Sequence, residues 1–185
     1  IGDDLVMDPQ NSAFPVPTVR EVSGMRFQEV HMVDYPYFID VRGDGLSSDS
    51  VVTADLPQVT VPWASPITLD EEKTQGLTVT PLLRSSERAW LGDTTGVMPS
   101  EEQLLRGYMP SGERNSHLLA VALQGKFTSM FAGQDSPLLT AEAPAEEAES
   151  SPTSQPINAV LNHSADSARL VVFASNDMLS DQIIN

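Results

Sequence analysis

The stretch "ARLVVFASNDMLSDQIIN", residues 168–185, decides the reading of the fold. The run Leu-Val-Val-Phe-Ala has the length and β-branched content of a buried strand. Ser175, Asn176 and Asp177 then make a sharp polar turn, and a helix start follows. A strand, loop and helix in that order is the repeating unit of an α/β sheet. Ligands of open α/β sheets gather beyond the carboxyl ends of the strands, which makes Asn176 and Asp177 candidate ligand-binding residues. Both residue types are also strong helix N-caps, so a purely structural role explains the same turn.

Upstream of this unit, "APAEEAESSPTSQP" is rich in Glu and Pro and has no basic residue. Such a composition buries too little apolar surface to offset its ordering entropy. It divides the chain into a strand-rich part over 1–133, a flexible acidic insertion over 134–158 and the final strand-turn-helix unit over 159–185. Before it, "SHLLAVALQGKF" is an apolar run suited to a strand covered on both faces. "SEEQLLRGY" predicts a helix of about two turns, with Ser100 as N-cap, Glu101 and Glu102 in the first turn and Gly107 as the stop.

The first half reads as strands. "MRFQEVHMVDYPYFIDV" alternates imperfectly, and Pro36 predicts either two strands or a bend in an edge strand. "LVM" at 5–7 is a short strand, whereas the turn residues and prolines of "DPQNSAFPVP" argue against regular structure. "QVTVPW", "SPITL" and "GLTVTPLLRSS" are further short strands confined by prolines to edges or ends.

Ten basic against twenty-six acidic residues give a net charge of −16, which disfavours nucleic acid and anionic lipid as partners. No cysteine is present, which removes disulfides, thiolate metal sites and cysteine nucleophiles together. The sequence has no run of eighteen apolar residues and no signal-peptide pattern, and it starts without Met, so it reads as a soluble fragment of a longer protein.

Several stretches carry candidate chemistry. "DVRGDGLSSD" holds an Arg-Gly-Asp tripeptide and spaces Asp40, Asp44 and Asp49 loosely like a calcium loop, but the alternate oxygen ligands and terminal Glu of that motif are missing. A tight turn at Gly43, Asp44 and Gly45 accounts for these residues. His31, His117 and His163 share no metal-ligand spacing, and no Gly-x-Ser-x-Gly elbow precedes a helix. No metal, cofactor or catalytic residue is therefore assigned. In "PLLRSSERAW", residues 81–90, Arg84 and Arg88 flank two serines and could converge on a carboxylate or phosphate. The alternative is a strand end turning into a capped helical turn, with Arg84 in an ion pair and Trp90 packed.

"DDLVMDPQNSAFPVP", "YPYFIDVRGDGL", "WASPI", "PLLRSSERAWL", "AVALQGKFTSMF" and "ARLVVFASNDMLSD" together, in this order, resemble the extracytoplasmic region of gliding-motility-type ABC-transporter auxiliary proteins (GldG-like). The resemblance implies a Rossmann-like, glutamine-amidotransferase-like α/β sheet with short helices, here as a partial domain. It implies a membrane-anchored parent on the periplasmic or extracellular face of the cytoplasmic membrane, with an ABC permease and ATPase as partners. Its function would be non-enzymatic, in transporter assembly or substrate handling. The family's "GDSDF"-like last turn reads Ala174-Ser175-Asn176-Asp177-Met178 here, without the glycine and the first acid. A second function class consistent with the residues is a small-ligand domain for a sugar, peptide or anion, using Arg84, Arg88, Asn176 and Asp177, and a third is a degenerate hydrolase.

Overall fold

Antiparallel pairing organises every sheet of the computed structural model, which describes residues 1–92, 96–134 and 161–179. The strands are β1 (Leu5–Met7), β2 (Asn11–Val22), β3 (Met25–Arg42), β4 (Gln58–Pro62), β5 (Thr78–Arg84), β6 (Trp90–Gly92), β7 (Leu118–Gln124) and β8 (Arg169–Phe173). Two short helices, α1 (Glu71–Thr74) and α2 (Glu101–Arg106), lie between them. The sheets are β1-β6, β2-β3-β4 and β5-β7-β8.

This corrects the α/β, Rossmann-like, amidotransferase-like expectation, because no parallel sheet with crossover helices is present among the described residues. The physical cause is at the carboxyl end of β7. Ser129 N–H donates to the Asn162 carbonyl, Ser164 N–H to that of Phe127 and Gly125 N–H to that of Ala168. The chain therefore returns beside itself, and β8 joins β7 as the far arm of a hairpin instead of a parallel strand fed by a helix. Leu170, Val171 and Phe173 lie 45, 48 and 38% exposed, so the run that reads as a buried strand is an edge among the described strands. After β8 a short 3-10 turn, Asp177–Leu179, packs through Met178 on the core. The acidic insertion and any helix beyond residue 179 fall outside the described residues.

Other local expectations hold. β1 spans Leu5–Met7, and Leu118, Leu119, Ala120 and Val121 of β7 are buried. Ser100 caps α2 in a reciprocal box with Gln103, and Gly107 ends it at a φ of 76°. "SPITL" contributes only an isolated bridge, Ile67 to Leu118.

Two further outcomes concern proline: residues 11–22 are a correction, while at Pro36 the second of the two expected outcomes, one strand with an irregularity, is what forms. Residues 11–22 form a 12-residue strand through Pro15 and Pro17, and β3 runs on through Pro36. The turn between β2 and β3 explains the first. Ser23 and Gly24 have φ of 53° and 77°, a two-residue turn of the I′ kind, which makes Val22 and Met25 a hydrogen-bonded pair. Counting back, Pro15 and Pro17 face Met32 and Val30 in pairs without mutual backbone bonds, so no N–H is missed by the ladder. Pro36 coincides with the irregularity where Asn11 pairs Ile39 but Ala13 pairs Asp34.

Two clusters form the core. Val6, Ile39, Val41, Val61, Leu82, Leu83 and Leu119 join the three sheets, and Met7, Tyr35, Tyr37, Phe38 and Trp90 form an aromatic layer beside them. In that layer Tyr35 and Phe38 meet edge to face at 4.9 Å, and the indole N–H of Trp63 donates to the Tyr35 hydroxyl.

Candidate functional site

The end of β1 fixes the geometry of one cleft. Met7 pairs with Trp90 of β6, which sets the next residue, Asp8, beside the loop between β5 and β6. Asp8 is 1% exposed, and its carboxylate accepts from Ser86 N–H (2.6 Å), Ser86 Oγ (2.7 Å) and Gln10 N–H (2.8 Å). Three donors on one buried carboxylate satisfy it and strap the loop down. Ser86 Oγ accepts in turn from Arg88 N–H. Ser85 Oγ accepts from His117 N–H, and Ser116 Oγ donates to the Ser85 carbonyl.

The other wall is the turn at Gly43–Gly45, which follows β3. Leu46 bridges Leu83, and Ser47 N–H donates to the Leu82 carbonyl. A Cβ on Gly45 would stand 2.7 Å from the Arg84 carbonyl oxygen, so only glycine allows this approach. The Arg-Gly-Asp tripeptide and the serine-arginine stretch, separate in sequence, thus share one cleft of about 430 Å³ lined by Gln10, Arg42, Asp44, Arg84, Ser86 and Glu87 among others.

Charge in the cleft is mixed. Arg42 pairs with Asp40, whose second oxygen is buried without a partner among the described residues. Arg84 makes no ion pair among the described residues, where the sequence predicts one with an acidic neighbour. Trp90 is packed as predicted, at 2% exposure.

Only Arg84 of the four candidate residues lines the cleft. Arg88 is exposed on the turn outside it. Asn176 and Asp177 follow β8, on the opposite side of β7 from Arg84, so two strand spacings of about 4.8 Å each intervene. The four do not converge. Sequence reading missed Gln10 and Ser116, and weighed Arg42 and Asp44 only within the Arg-Gly-Asp and calcium-loop pattern, apart from Arg84. Gly45 between two acid-bearing turn stretches was the one signal, and its cause is a contact distant in sequence.

Asp8, Ser86 and His117 lie near one another without the order of a hydrolase relay. The serine hydroxyl donates directly to the carboxylate, and His117 Nε2 is buried without a hydrogen-bond partner among the described residues. Burial holds the His117 imidazole below its ordinary value, with the Asp8 carboxylate opposing that shift. Among the described residues no group of three or more His, Asp or Glu is placed to hold a metal ion, and no helix is long and apolar enough to cross a membrane.

An antiparallel strand-rich domain with self-satisfied serines and a mixed-charge cleft is the class of protein the coordinates define. Residues 1–185 match the model of the auxiliary-component family described as an ABC-type uncharacterized transport system, and the chain belongs to that family. No curated protein and no solved structure matches it. Membership makes the chain an auxiliary component of an ABC transport system and implies association with transporter components. The gliding-motility-type placement is finer than that description.

Proposed function

We propose that this chain is a non-enzymatic, extracytoplasmic domain of an ABC-transport auxiliary protein, acting through protein contacts in transporter assembly or substrate handling. The observation that carries this reading is the family match over residues 1–185. The candidate chemistry supports it: Ser85 and Ser86 are committed to structural hydrogen bonds and His117 bonds neither hydroxyl through its ring. The partners would be the ABC permease and ATPase, with the parent protein anchored in the cytoplasmic membrane, and the sequence resemblance adds the gliding-motility type. Cross-linking the parent in intact membranes and identifying co-purified proteins tests this. Recovery of the permease and ATPase is expected, and their absence under efficient cross-linking counts against it.

A second reading, binding of a small sugar, peptide or anion, is favoured by one observation. Arg84, which makes no ion pair among the described residues, lines a cleft of about 430 Å³. A thermal-shift screen of sugar acids, short peptides and phosphate tests it. A ligand at a hundredfold its Kd stabilises by about 2.7 kcal/mol, or about 5–10 °C for a chain of this size. A shift abolished by Arg84→Ala is the supporting result, and no shift with any class removes this reading.

A further inference from the structure

The outer parts of β2 and β3 form a two-stranded arm with solvent on both faces. One face carries Pro15, Pro17 and Val19 opposite Met32, Val30 and Gln28, and Val19, Val30 and Met32 are 54, 65 and 63% exposed. The two edges of the arm differ. On β2 the outward positions include Pro15 and Pro17, which have no N–H to offer and so blunt that edge against strand addition. On β3 the same alternation turns the backbone groups of Arg26, Gln28, Val30, Met32 and Asp34 outward, and no proline interrupts them. β4 covers β3 only from Phe38 to Arg42, and among the described residues no strand lies along the edge beyond.

We propose that this edge pairs antiparallel with the same edge of a second copy of the chain, about a two-fold axis at Val30. Charge sets the occupant and the register. With the axis at Val30, Arg26 stands opposite Asp34 of the second copy and Glu29 opposite its His31, and symmetry makes each pairing twice. Moving the axis to position 29 sets Glu29 against Glu29, and moving it to 31 sets His31 against His31. Both neighbouring registers also take Arg26 away from Asp34. Within one chain Glu29 already lies 3.8 Å from Arg20 and 3.5 Å from His31, so the second copy's His31 joins an existing cluster. The pairing joins two arms into a four-stranded ribbon and places Val30 against Val30. The net charge of −16 on each copy opposes association, a repulsion that salt at 0.15 M screens beyond about 8 Å.

Sedimentation velocity of the 185-residue chain over a range of concentrations in 0.15 M salt tests the proposal, with far-UV circular dichroism checking that each variant folds. A concentration-dependent dimer is expected. Val30→Pro removes an outward N–H and none from the arm's own ladder, so it should give a folded monomer. Arg26→Asp should weaken the dimer about tenfold through two like-charge contacts, and Arg26→Asp with Asp34→Arg should restore it. In a chain without cysteine, Val30→Cys should oxidise to a covalent dimer, since hydrogen-bonded pairs hold Cα atoms about 5.5 Å apart. A monomer at every concentration overturns the proposal, as does a dimer indifferent to Val30→Pro. Failure of the charge swap to restore an Arg26→Asp dimer overturns the register.

Discussion

The two halves of β3 have similar side chains and opposite surroundings. From Tyr35 to Val41 every residue is buried, whereas Met25, Phe27, Val30 and Met32 stand 46 to 65% exposed. Both halves are rich in apolar and β-branched or aromatic residues, so strand composition does not separate them. Their neighbours do. The inner half has β4 along its edge and Val6, Trp90 and Leu119 in the clusters packed around it, and the outer half pairs with β2 alone among the described strands. Burial is a property of what lies across the strand, and only a long-range contact supplies it.

Mutations that treat the two halves alike should therefore give unlike results. Ile39→Ala, at a residue with 0% exposure, should cost about 3 kcal/mol in chemical denaturation. The matching truncation in the arm, Val30→Ala, should stay within about 0.5 kcal/mol in the monomer. Equal losses would mean that the arm is packed in solution and would break the contrast. Asp8→Ala leaves the backbone N–H groups of Ser86 and Gln10 without their acceptor, and should cost about 2 kcal/mol in the same measurement. Its effect should be centred on the loop between β5 and β6, read by hydrogen exchange, with the arm unchanged.

Gly24→Ala places a Cβ in open space at a φ of 77°, so the loss is purely conformational, about 1 kcal/mol. It should raise exchange in the arm and leave the aromatic layer protected. The smallest effect is a pH dependence. His117 takes up a proton at lower pH in the folded chain than in the unfolded one. The unfolded chain therefore binds more protons between the two values, and stability falls as pH drops from 6.5 through the lowered folded value. Above 6.5 the contribution is complete. His117→Gln should flatten that part of the curve in thermal melts, and an unchanged slope would sever the link to the buried imidazole.

Much of the local structure was legible. Ser100, Gln103 and Gly107 define α2 through bonds spanning a few residues, and the apolar run of β7 is buried as its composition predicts. The proline-rich stretch at 13–17 misled, because whether a proline interrupts a ladder depends on which way its missing N–H would point. That direction is set by a turn several residues away, at Ser23 and Gly24. The sheet direction misled for a related reason. "RLVVF" has the pattern of a strand, but its partner is chosen by the pairing of 127–129 with 162–164 across the insertion. The candidate site was legible only in part: of the four candidate residues Arg84 alone lines the cleft, while Gln10, Arg42 and Asp44 reach it through β1 and the turn after β3.

By itself the sequence determined most of the strand-forming segments, though not the proline-bearing one at 11–22, together with the capped helix, the absence of cysteine chemistry and the strong negative charge, since each follows from side-chain type or from bonds between near neighbours. Only the tertiary structure decided that the sheets are antiparallel, that Asp8 straps the serine loop and that one half of β3 is core while the other is arm. Those outcomes rest on contacts between residues tens of positions apart, and local residue chemistry leaves their partners open.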